Sequence, residues 1–277
     1  MSSNEVIVKG GLGNQIFCLF FAYKILLSKK KVTLNLVNYS LFKKKDREFV
    51  LDNLFPLVIN LFQLSQSNKS FLLFVSSKII EKIFVKSKLD RLPGDKSFSL
   101  QYLPDFYLHS GYFQKITNSD LDQNTLDFFK KQITPFLREN KSNFLAIHIR
   151  RGDYLNKKNK FHGTISEKYL AEESQKQLSI ANFDGITIFS DSPELIDLNI
   201  FKSLHKNLLI DKGGDPVEVF KRMSNHKGLV ASNSSFSLWA GILGNIKYFS
   251  IPYFWMKNVR SSIIGLDNIP RYKCHIE

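Results

Sequence analysis

The run Ile147-His148-Ile149-Arg150-Arg151-Gly152-Asp153-Tyr154 sets two fixed cations and a carboxylate directly after an apolar lead-in, Phe144-Leu145-Ala146. A guanidinium stays charged at physiological pH, and its planar fork matches a pair of phosphate oxygens. Two of them at a strand end can grip a diphosphate. Asp153, three positions after Arg150, can orient an arginine or take a proton. The same residues could also form a solvated turn or a structural ion pair. Alternation from Leu145 to Ile149 places His148 on the opposite strand face from Ile147 and Ile149, as a pocket residue or a hydrogen-bonded core histidine.

Three further stretches carry polar groups suited to a ligand. Gly10-Gly11-Leu12-Gly13-Asn14-Gln15 follows a short β-branched run. Gly11 and Gly13 would let backbone amides approach a ligand, and the helix that follows would offer unpaired N–H groups to an anion. The spacing meets neither the dinucleotide GxGxxG nor the GxxxxGK[ST] pattern, and Asn14 could simply be a helix N-cap. Asp191, after Ile186-Thr187-Ile188-Phe189-Ser190, could accept from guanine or from ribose hydroxyls, or cap the next helix. Asn233-Ser234-Ser235, after Gly228 to Ser232, gathers hydroxyls and amides at a helix start, as a phosphate nest or a serine cap. His162 lacks partners at metal-ligand spacing, so no metal is expected, and no nucleophile elbow is present.

The elements that must position these groups read as alternating strands and helices. Glu5–Lys9 is a strand, Gln15–Lys29 an apolar helix and Lys31–Val37 a second strand, which together make one β-α-β step. Residues 70–88 suggest a helix with a lysine face, fit for a domain surface or an anionic membrane. Residues 99–115 suggest a strand and loop, and the stretch up to 140 a helix. From 144 the alternation is cleaner: strands at 144–149, 186–190, 208–210, 228–232 and 246–252, with Asp215 and Pro216 opening a helix as cap and first residue. The expected architecture is α/β, with two domains, 1–140 and 141–277. In open parallel sheets ligands bind beyond the carboxyl ends of the strands, where all four polar stretches fall.

Composition bounds the function without choosing it. The 277 residues are 43% hydrophobic and 23% charged, as in ordinary globular proteins, and carry a formal charge of +14. That surplus suits phosphate-bearing partners or an anionic surface. A non-enzymatic nucleic-acid-binding protein would use it too, but no zinc-finger spacing or basic recognition helix supports that reading. Cys18 and Cys274 are the only cysteines, which argues against a disulfide scaffold. No secretory signal or membrane-spanning run is expected, so the chain reads as intracellular.

Taken together, the GGLGNQ start, HxRRGDY at His148–Tyr154, FSD at Phe189–Asp191 and SNSSFSxWA at Ser232–Ala240 resemble the bacterial α-1,2-fucosyltransferases. Gly111-Tyr112-Phe113-Gln114 and His162-Gly163 are further matches, so the resemblance spans nearly the whole chain. It implies a GT-B-like pair of Rossmann-type domains facing across a cleft. It implies GDP-L-fucose as donor, a terminal galactose of a surface glycan, lipid-linked in some pathways, as acceptor, and inversion to an α-1,2 product without a metal or other cofactor. Arg150, Arg151 and His148 would line the donor diphosphate pocket, Asp191 would read guanine or ribose, and Asn233, Ser234 and Ser235 would lie near the phosphates. Asn14 and Gln15 would face the acceptor. The expected location is the bacterial cytoplasm, with peripheral contact to the anionic inner membrane face. A GDP-fucose-dependent transferase of another linkage is the rival within the same architecture. The chain departs from many relatives at Ser192, Leu170 and Leu238.

Overall fold

The structure is a computed structural model and describes residues 3–40, 48–66, 72, 75–76, 98–103, 105–114, 122–137, 142–155, 162–244, 246–257, 259–260 and 269–274. The chain forms two compact units, Met1–Ile116 and Thr117–Glu277. Both are α/β units built on a mainly parallel sheet, as expected. The division falls before the helix Gln123–Leu137, whereas the sequence places it near 140. That helix packs with the second unit, against helices Pro216–Ser224 and Ser235–Leu243. Its buried side, which includes Thr125, Phe129 and Ile133, gives it an amphipathic pattern that by itself fits either neighbour.

The first unit has a five-stranded sheet in the order β3-β2-β1-β5-β4. Its strands are β1 (Ser3–Ile7), β2 (Lys31–Asn35), β3 (Gln63–Ser65), β4 (Phe98–Leu103) and β5 (Phe106–Ser110). All neighbours run parallel except β4 and β5, which pair antiparallel where a strand and loop were expected. The helix Leu12–Leu27 follows β1 and buries Ile16, Phe17, Leu19 and Phe20. It begins three residues earlier than the apolar run suggests, with Gly11 at the cap position and no side-chain cap. Gly10 makes the turn with φ +87°, and a Cβ there would meet the Asn14 side chain at 2.9 Å and the Tyr112 ring at 3.0 Å. Glycine is therefore required on both conformational and steric grounds. The helix expected across 70–88 lies almost wholly outside the described residues.

The second unit holds a six-stranded, wholly parallel sheet in the order β13-β10-β9-β6-β7-β8. Its strands are β6 (Ser142–Ile149), β7 (Ile186–Ser190), β8 (Leu208–Ile210), β9 (His226–Val230), β10 (Tyr248–Pro252) and β13 (Arg271–Tyr272). A small antiparallel hairpin, β11 (Phe254–Met256) with β12 (Val259–Arg260), follows β10 and has no counterpart in the sequence reading. β6 is interior, and Leu145, Ile147 and Ile149 form one core with Ile186, Ile188 and Val230. The helices Glu167–Ile180 and Pro216–Ser224 pack on this sheet. Asp215 caps Pro216–Ser224 by accepting from the N–H groups of Val217 and Glu218, as the Asp-Pro pair predicts. No helix among the described residues is long and apolar enough to cross a membrane.

Candidate active site

The site begins from strand register. β6 and β7 are parallel neighbours with Ile149 opposite Ser190, so the next residues, Arg150 and Asp191, leave the sheet side by side. The Arg150 guanidinium then meets two carboxylates. Its Nε and Nη2 donate to Asp153 Oδ1 at 3.1 and 2.7 Å, and Nη1 lies 3.0 Å from Asp191 Oδ2. Two of the five guanidinium N–H groups donate to Asp153 and Nη1 is ion-paired with Asp191, so donors remain beyond those hydrogen bonds. The side chain is 28% exposed, and its guanidinium carbon lies 5.5 Å from the centroid of the Tyr154 ring. Burial works against its charge, but Asp191 and Asp153 outweigh burial and raise its pKa further. The result is a fixed cation, aimed by two acids and still able to donate.

Arg151 has a different position. Its side chain is 8% exposed, with Nη1 donating to the Arg150 carbonyl at 3.0 Å and Nη2 to the Ile165 carbonyl at 2.8 Å. Nη2 also lies 2.8 Å from Glu167 Oε1, in the first turn of the helix Glu167–Ile180. The backbone N–H of Arg151 donates to Asp191 Oδ1 at 2.9 Å. Arg151 therefore ties the end of β6 to the next helix, the structural ion pair that the sequence left open beside an assignment of both arginines to a diphosphate. Glu167 is absent from that assignment. Its only sequence signal is an acid at a helix start, since the charge it answers lies sixteen positions back. Between them, Gly152 leaves the space that the Asp191 carboxylate occupies; any Cβ there would collide with it.

Asp191 thus holds Arg150 and the Arg151 amide and does not cap the turn that follows, whose N-cap position is Ser192. His148 is buried, with Nδ1 paired to Ser232 Oγ at 2.9 Å and its ring tilted against Phe236 at 6.0 Å. Burial, with Arg150 adding to it, pushes its pKa down to about 3, so the ring is neutral near pH 7. It is the hydrogen-bonded core histidine of the two sequence alternatives. Asn233, 1% exposed, donates from Nδ2 to the carbonyls of His162 at 3.1 Å, Gly163 at 3.3 Å and Trp255 at 3.3 Å. Ser234 caps the helix Ser235–Leu243 by accepting from Phe236 N–H at 3.3 Å. Ser235, the first residue of that helix, is half-buried at the amide-rich end.

In the first unit the two amides of the glycine turn divide their roles. Gln15 is fully buried: Nε2 donates to the Gly10 and Glu48 carbonyls at 3.2 and 2.7 Å, and Oε1 accepts from Val50 N–H at 3.2 Å. It cannot face an acceptor in this arrangement, because its amide staples the turn to residues 48–50. Asn14 is half-buried and accepts from Gln114 Nε2 at 2.8 Å, so it is not the N-cap. Gly11 has open space where a side chain would stand, and Gly13 is buried within the first helical turn. Sequence reasoning also passes over Tyr39, whose hydroxyl donates to the Gly10 carbonyl at 2.9 Å.

Among the described residues, no group of three or more His, Cys, Asp or Glu side chains could hold a metal ion. Comparison with known proteins bears on what the arrangement serves. The family model for glycosyl transferase family 11 matches residues 3–258. An O-antigen biosynthesis glycosyltransferase of Escherichia coli, WbnK, is 26% identical, with 94% of this chain and 97% of that protein covered. An alpha-1,2-colitosyltransferase of Escherichia coli is 25% identical over 85% of this chain and 86% of its own. Among solved structures, the fucosyltransferase NodZ from Bradyrhizobium superposes with a TM-score of 0.48 at 8% identity, covering 88% of this chain and 93% of that one.

Proposed function

The chain belongs to glycosyl transferase family 11, and from that premise we propose that it moves L-fucose from GDP-L-fucose to the 2-hydroxyl of a terminal galactose in a bacterial surface glycan. The bond between the fucose anomeric carbon and the diphosphate oxygen breaks, and the acceptor oxygen attacks from the opposite face with inversion, its hydroxyl proton passing to solvent. The electron pair of the broken bond stays on GDP, so negative charge grows on the β-phosphate. The observation that carries this reading is Arg150 at the end of β6, held by Asp153 and Asp191 with donors to spare. Donors fixed before the reaction stabilise a leaving group without reorganising as the charge develops.

Other residues take roles consistent with their positions. The amide end of the helix Ser235–Leu243, with Ser234 and Ser235, would take a phosphate oxygen. His148 and Arg151 support that wall from beneath, and Asp153 acts as the orienter of Arg150. The acceptor would be recognised at the Gly11–Asn14 turn of the first unit. The surplus of basic residues, +14 overall, would favour peripheral contact with an anionic membrane carrying lipid-linked acceptor.

The test is incubation with GDP-L-fucose and lactose, N-acetyllactosamine or galactosyl-β-1,3-N-acetylgalactosamine, with and without EDTA. Nucleotide-activated colitose serves as a second donor, because a relative is named for colitose transfer. The expected product is an α-1,2-fucosyl galactoside by NMR, formed equally with EDTA. Another linkage would overturn the acceptor assignment, preference for colitose the donor sugar, and loss of turnover with EDTA the cation role given to Arg150.

A further inference from the structure

His162 has no place in the chemistry above, yet its ring lies flat against Tyr154, with centroids 4.6 Å apart and planes within 9°. Tyr154 is the residue over which the Arg150 guanidinium sits. Its hydroxyl donates to the backbone carbonyl of Asn233 at 2.9 Å. Asn233 in turn donates through Nδ2 to the carbonyl of His162 itself. The three residues close a ring of contacts: imidazole on phenol, phenol on Asn233, Asn233 on the imidazole's own backbone. Gly163 completes it with φ +61°, a left-handed turn that brings its carbonyl to the same amide. Stacked aromatic pairs contribute beyond their buried area and fix ring height.

Resting on the assignment of Arg150 to the donor diphosphate, we infer that His162 is a positioning residue: by stacking on Tyr154 it sets the height and tilt of the Arg150 guanidinium, and it does so as an aromatic plane. Burial holds its imidazole neutral, with a pKa lowered to about 4 despite the opposing pull of Asp153, and Arg150 adds to the lowering. A neutral ring adds no charge beside the cation it supports. The sequence signal was the His-Gly pair itself, which gave no hint of its partner because Asn233 lies seventy-one positions away.

Two substitutions separate the plane from the nitrogens. His162→Phe keeps a stackable ring and removes both nitrogens, whereas His162→Gln keeps hydrogen-bonding capacity and removes the ring. The first readout needs no ligand: hydrogen exchange at the Arg150 Nε–H, assigned by its absence in Arg150→Lys. Expected is exchange faster by about tenfold in His162→Gln and by no more than about threefold in His162→Phe, the size of effect a stacked pair supports. The second is GDP affinity by calorimetry, which should weaken in the same order. Equal exchange in the wild type and both variants would overturn the inference, as would a greater effect of Phe than of Gln. If His162→Gln fails to fold, Tyr154→Leu against Tyr154→Phe asks the same question from the other ring, with Leu expected to be the more damaging. Wild-type protein that binds no GDP would defeat the donor assignment, while the exchange readout would still judge the stack.

Discussion

At the scale of single residues, adjacent arginines do separate work. Arg150 is 28% exposed beside two carboxylates, whereas Arg151 is 8% exposed and tied to two backbone carbonyls and Glu167, so their substitutions should fail differently. Arg150→Lys retains charge but loses the fork, and turnover with GDP-L-fucose should fall by about 100-fold with little change in melting temperature. Arg151→Lys leaves Glu167 and the Ile165 carbonyl poorly served, and should cost about 3 kcal/mol of stability. Steady-state kinetics set beside thermal unfolding checks both; equal kinetic losses with equal melting temperatures would contradict the division. His148 gives a prediction in pH. Its folded pKa of about 3 lies below the ordinary 6.5, so between those values the unfolded chain binds a proton that the folded one refuses. Its contribution is therefore intact above pH 6.5, declines as pH falls through that window and levels off below about 3. Wild type should lose melting temperature more steeply from pH 7 to 5 than His148→Asn; identical slopes would count against the buried neutral ring.

Among the elements, the turn after β6 depends on one missing side chain. Gly152→Ala would push a methyl group into the Asp191 carboxylate, disturbing both Arg150 and the Arg151 amide. Expected is a loss of about 1–3 kcal/mol, with weaker GDP binding. Unchanged calorimetry would show that Asp191 moves away freely. Much at this scale was legible in the sequence. β7 and β8 were plain because short apolar runs are bounded by turn residues, and Asp215-Pro216 announced a helix start through cap chemistry. The division between units was not, because the amphipathic helix Gln123–Leu137 carries no mark of which sheet it covers. The split between Arg150 and Arg151 was equally hidden, since it depends on Glu167 and on Asp191, forty positions from Arg151. Gln15 was misplaced toward a ligand for a related reason: its partners, the Glu48 carbonyl and Val50 N–H, are backbone groups that no motif records.

For the whole molecule, the chain divides into two compact units, and multi-domain chains commonly unfold in more than one step. A ligand that binds only the second unit stabilises the step that destroys its site. GDP at about 100 times its dissociation constant should add about 2.7 kcal/mol to that step. GMP at the same concentration should do less, because it lacks the phosphate assigned to Arg150. Differential scanning calorimetry with the two nucleotides would separate them, and equal shifts would argue against recognition of the diphosphate.

The most direct test of the central claim is the affinity for GDP on replacing Arg150 with Ala, measured by titration calorimetry against wild type. Removal of the guanidinium also leaves Asp153 and Asp191 facing the phosphates, so binding should weaken by about 100-fold or more while the fold persists. Wild-type-like GDP affinity in the folded variant would contradict the account.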